Sequence, residues 1–105
     1  MAVKLKSAAS GPKNELPPPP EAFSAEASEV LRAWVVDGGL HVSMMKSFDD
    51  PGVWGVLLAD IARHAANIYV TEEGASAEEA LSQIAGFFRS ELMEPTDEVE
   101  TDAIQ

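Results

Sequence analysis

The chain has 105 residues, with 18 Asp and Glu against 7 Lys and Arg, giving a net charge of −11, and 46% of its residues are hydrophobic. This length allows one small domain, and the composition excludes a disordered or membrane-embedded chain. No cysteine is present, which removes disulfides, thiolate metal sites and a cysteine nucleophile, and the acidic balance opposes contact with nucleic-acid phosphates.

The charge is unevenly spread. Residues 1–20 carry a net +2, from Lys4, Lys6 and Lys13 against Glu15, and they end in Pro17, Pro18, Pro19 and Pro20. Four prolines in a row exclude a helix interior or a central strand, so residues 1–20 read as a disordered, basic, proline-rich arm. The opening MAVKLKSAASGPK lacks the run of about 7–15 apolar residues that a secretion signal needs, and no apolar stretch approaches the roughly 20 residues of a membrane span. The expected location is the cytoplasm, with no membrane partner. Residues 91–105 hold six acidic residues and no basic one, and residues 95–105 read as a disordered acidic tail. That leaves residues 21–94 as the single folded domain.

Within it, residues 29–36 and 40–48 are β-rich runs separated by Asp37, Gly38 and Gly39, the signature of a hairpin. Alternation puts Leu31, Ala33 and Val35 on one face of the first strand and Leu40, Val42 and Met44 on one face of the second. Only a two-residue loop, Asp37 with Gly38 or Gly38 with Gly39, pairs odd positions with even ones and brings both apolar sets to the same side. The opposite face collects Val30, Arg32, Trp34, Val36, His41, Ser43 and Met45.

Asp50 and Pro51 then open a helix, the first as a side-chain cap and the second in the first helical position. Trp54, Leu57, Leu58, Ile61, Ala65 and Ile68 recur at helical spacing, and Gly74 is placed to end the helix. Ser76 and Glu79 have the spacing of a capping box, and the helix they start carries Leu81, Ile84, Ala85, Phe88 and Leu92 up to the stop at Pro95. The expected fold is α+β, a β-hairpin followed by two α-helices (ββαα).

A two-stranded sheet on two helices is thin, since isolated hairpins are marginally stable and both strands are edges. We therefore expect a second copy of the chain to complete the sheet as a homodimer, the alternative cover being the segment around Ala22, Phe23, Ala25 and Ala27.

Chemistry is harder to find. Asp60 and His64 share a helical face with Arg63 beside them, and a carboxylate that orients an imidazole is half of a general-base or metal site. With His41 these residues form the alternative reading, a small-molecule or metal-dependent activity. The same positions also make an ordinary solvent-facing helix flank, and two histidines of unknown convergence are a weak metal case. Asp50 is accounted for by capping, the glycines form no phosphate-cradling loop, and no GxSxG elbow occurs. No catalytic residue, metal site or cofactor is expected. Trp54 and Phe88 fall on core stripes. Trp34 and Phe87 lie outside them, and with Arg32 and Met45 they are the expected partner-binding residues, directed at a protein that the sequence does not identify.

Three segments carry a resemblance: ELPPPPEA at 15–22, EVLRAWVVDGGL at 29–40 and FDDPGVWG at 48–55. With them the chain resembles, over about residues 15–92, a family of small proteobacterial proteins known only as a domain of unknown function. The resemblance implies a short, stand-alone, cytoplasmic bacterial protein, and it implies no activity, cofactor or catalytic residue.

Overall fold

In a computed structural model that describes residues 14–96, a short 3-10 turn at Pro20–Phe23 precedes strands β1 (Leu31–Val36) and β2 (Gly39–Met44), which are followed by helices α1 (Gly52–Glu73) and α2 (Ala77–Met93). The order is the ββαα arrangement that the sequence predicts. The strands pair antiparallel as Leu31 with Met44, Ala33 with Val42 and Val35 with Leu40. Of the two loops that parity allows, the chain uses Asp37 with Gly38. Both have positive φ, 51° and 81°, the backbone of a type I′ turn, whose twist matches that of the flanking strands.

The helix ends follow from local chemistry. Asp50 Oδ1 accepts the Gly52 N–H at 2.8 Å, while Pro51 already has helical angles and stands as the N-cap. The capping residue predicted at Asp50 thus acts one position further out, because the proline carries the first turn without an amide of its own. Gly74 closes α1 in the left-handed conformation, and Ala75 N–H reaches back to the Tyr69 carbonyl at 3.2 Å, a pattern that satisfies the last carbonyls of the helix. Ser76 Oγ accepts the Glu79 N–H at 3.2 Å, one arm of the capping box.

Packing is where the structure departs from expectation. The two helices pack on each other, and so do the two strands, but among the described residues neither strand approaches either helix. Of the described residues only Ala66, 2% exposed, is buried. Around it Ala62, Ala65, Ala80 and Ala85, together with the larger Leu57, Leu81 and Ile84, are half-buried.

The apolar stripes extend well beyond that contact. Val35 and Leu40, on the alternating face expected to turn inward, are 76% and 69% exposed, and Ile68 is 55% exposed. Phe88, expected in the core, is about half exposed. Each element has an apolar face as predicted, but among the described residues nothing covers most of it. Phe23 is also largely exposed, so the segment around it does not fold back as the cover.

The seven residues between β2 and α1 explain part of this separation. Trp54 Nε1 donates to the Lys46 carbonyl at 3.0 Å, and the Trp54 ring meets Phe48 edge to face with centroids 5.4 Å apart. Ser47 takes a positive φ of 61°, and its hydroxyl donates to the Met45 carbonyl at 3.2 Å. Trp54 therefore fixes the connection to the start of α1 instead of filling a core between helix and sheet.

Candidate protein-interaction surface

On β1, Arg32 and Trp34 are two residues apart and so share the outer face of the hairpin. The Arg32 guanidinium carbon lies 5.4 Å from the centroid of the Trp34 ring, within reach of cation–π attraction. Two carboxylates hold the guanidinium there. Glu29 Oε2 lies 3.1 Å from Nε, and Glu15 forms a close ion pair with the terminal nitrogen. The hydrogen bond to Glu15, with the nearby charge of Glu29, raises the Arg32 pKa above its ordinary value.

The Glu15 contact ties the lead-in before the prolines to the hairpin, seventeen residues along the chain. Register sets His41 directly opposite Trp34 and Ser43 opposite Arg32. A shallow depression runs past Trp34 toward the turn, lined by Asn14, Trp34, Val36, Asp37 and His41. Met45 lies just beyond β2, about half exposed, and its N–H continues the ladder to the Val30 carbonyl at 3.4 Å.

Three of the four expected partner-binding residues, Arg32, Trp34 and Met45, are thus gathered on the hairpin. Phe87 is not with them. It stands on α2, 75% exposed, on an element that does not approach either strand. Sequence reasoning missed Glu15 as a partner of Arg32, because a residue before four prolines gives no local sign of folding back. It also missed the exposure of Val35 and Leu40, since alternation identifies an apolar face but not what covers it.

The alternative set is dispersed. Asp60 pairs with Arg63 at 3.5 Å. His64 stays on α1 while His41 is on the hairpin. Among the described residues, no group of three or more His, Cys, Asp or Glu is placed to hold a metal ion, and no helix is long and apolar enough to cross a membrane.

Residues 15–96 match the family described as "Domain of unknown function (DUF5076)". No curated protein gives a significant match. Among solved structures, one described as "a putative pyruvate dehydrogenase from the photosynthetic bacterium Rhodopseudomonas palustrus CGA009" is 47% identical with a TM-score of 0.72, over 91% of this chain and 99% of that one.

Proposed function

The chain belongs to that family of domains of unknown function, and from its surface we propose a non-enzymatic, homodimeric, cytoplasmic protein that binds another protein through the outer hairpin face around Trp34. The observation that carries this reading is the Arg32–Trp34 pair, an aromatic ring with a cation fixed 5.4 Å from its centre. Trp and Arg are the residue types that dominate protein–protein hot spots, because each offers a large contact area that loses little freedom on binding. The two carboxylates on Arg32 already neutralise it, so the face presents a rigid aromatic and not a free cation for phosphates. A net charge of −11 further disfavours nucleic acid. Met45 extends the apolar part of the same face.

Carried to this chain, the pyruvate dehydrogenase description of the 47%-identical structure would suggest enzymatic oxidation of pyruvate. Among the described residues, no hydrogen bond joins a histidine to a carboxylate or hydroxyl, so no oriented histidine base supports that reading.

The test is affinity capture from native lysate with the full chain, run in parallel with Trp34→Ala and with His64→Ala as a surface control. The expected result is a partner retained by wild type and His64→Ala and weakened at least about tenfold by Trp34→Ala, the loss typical of a hot-spot aromatic. Equal capture by all three would overturn the proposal.

A further inference from the structure

Resting on the homodimer in that reading, we propose that the dimer is a reciprocal exchange, in which the Val35–Leu40–Val42 face of each hairpin docks on the helix pair of the other copy. The argument begins with two faces that need cover. On the hairpin, Val35 pairs with Leu40 and Ala33 with Val42, giving an apolar patch without a charged side chain. On the helices, Ile61 and Ile68 are seven residues apart on one side of α1, and Ile84, Phe87 and Phe88 have the i, i+3, i+4 spacing of one face of α2. In an antiparallel pair whose contact runs through Ala66, ideal helix geometry places these two sets on the same side of the pair. One continuous apolar surface results, and Phe87 belongs to it.

The hairpin of the same chain does not cover that surface, because the connection to α1 is clamped by Trp54 on Lys46 and Phe48. The segments outside the described residues are poor candidates on sequence. Residues 97–105 contain four acids and only Val99, Ala103 and Ile104 as apolar residues, and residues 1–13 offer Met1, Val3 and Leu5 among lysines and small residues.

A second copy supplies both missing covers at once. A two-fold axis makes the two contacts equivalent, so each hairpin fills one helix face and the interface closes without leaving a free patch. The size is sufficient. From the fractional exposures of the residues named, the uncovered area is on the order of 800 Å² per copy, about what one partner contributes to a standard stable interface.

The experiment uses the full chain at micromolar concentration, with mass measured by sedimentation equilibrium and fold by far-UV circular dichroism. Wild type should run at twice 11.2 kDa. Val35→Glu and Ile68→Glu should each retain helicity, since both side chains are mostly exposed within one chain, and each should be monomeric. Mixing the two monomeric variants should restore a dimer, because the mixed pair keeps one intact hairpin-on-helix contact. A monomeric wild type would overturn both this inference and the homodimer on which it rests. A wild-type dimer that survives Val35→Glu, or two monomeric variants that fail to recover on mixing, would overturn the reciprocal exchange alone.

Discussion

The hairpin and the helix pair reach similar degrees of definition by opposite means. The hairpin is specified by its turn, in which Asp37 and Gly38 fix the loop, the loop fixes the register, and the register sets Trp34 beside Arg32 and opposite His41. The helix pair is specified by its ends, through Asp50, Gly74 and Ser76, with one buried alanine between the helices. Both halves are locally determined, yet neither buries the other. A short sequence can thus encode its elements completely while leaving much of their apolar faces uncovered by one another.

Within one chain the halves do not pack on each other, so on the monomeric Val35→Glu background, where no second copy couples them, damage to one should spare the other. Ala66→Leu forces a larger side chain into the only buried site described, and overpacking of this kind costs about 1–3 kcal/mol. Urea titration followed by circular dichroism should show the loss in the helical signal, while the amide NMR shifts of the hairpin stay in place. Coupled losses in both halves would mean that they are packed together.

Gly38→Val tests the hairpin in the same way. A β-branched residue at a φ of 81° is strained by roughly 1–2 kcal/mol. The strand amides should then exchange faster without a change in helicity. Ser76→Ala removes the acceptor of the Glu79 N–H and should cost about 1 kcal/mol, read as fraying of the first turn of α2. The smallest effect is expected from Glu15→Gln, since exposed ion pairs contribute at most about 1 kcal/mol. Its readout is local: Trp34 fluorescence should shift as Arg32 loosens, and rising salt should reproduce the shift in wild type.

Element order, the hairpin turn to within one residue, the Gly74 stop and the Ser76 cap were legible in the sequence, and the Asp50 cap was legible to within one position, because each depends on residues a few positions apart. The parity of the apolar residues excluded a three-residue loop and left two registers, of which the chain uses the one with Asp37 and Gly38 in the loop. What was not legible is anything that depends on how the halves meet. Trp54 sits on a helical stripe and reads as core, but its indole N–H finds the Lys46 carbonyl and its ring finds Phe48. Phe88 reads as core for the same reason and is about half exposed. Periodicity reports which face is apolar, and it does so identically whether the cover is the same chain or another one. The candidate site divided along the same line. Arg32 and Trp34 could be placed together from alternation alone, whereas the ion pair with Glu15 spans seventeen residues and four prolines.

The clamp at Trp54 has an optical consequence. The two tryptophans of the chain fall one in each half, Trp34 beside a guanidinium on the hairpin and Trp54 hydrogen-bonded at the entrance to the helices. Replacing either by phenylalanine leaves a single tryptophan, which excitation beyond the absorption of Tyr69 makes a reporter of one half, so the order in which hairpin and helices assemble can be timed without attaching a dye.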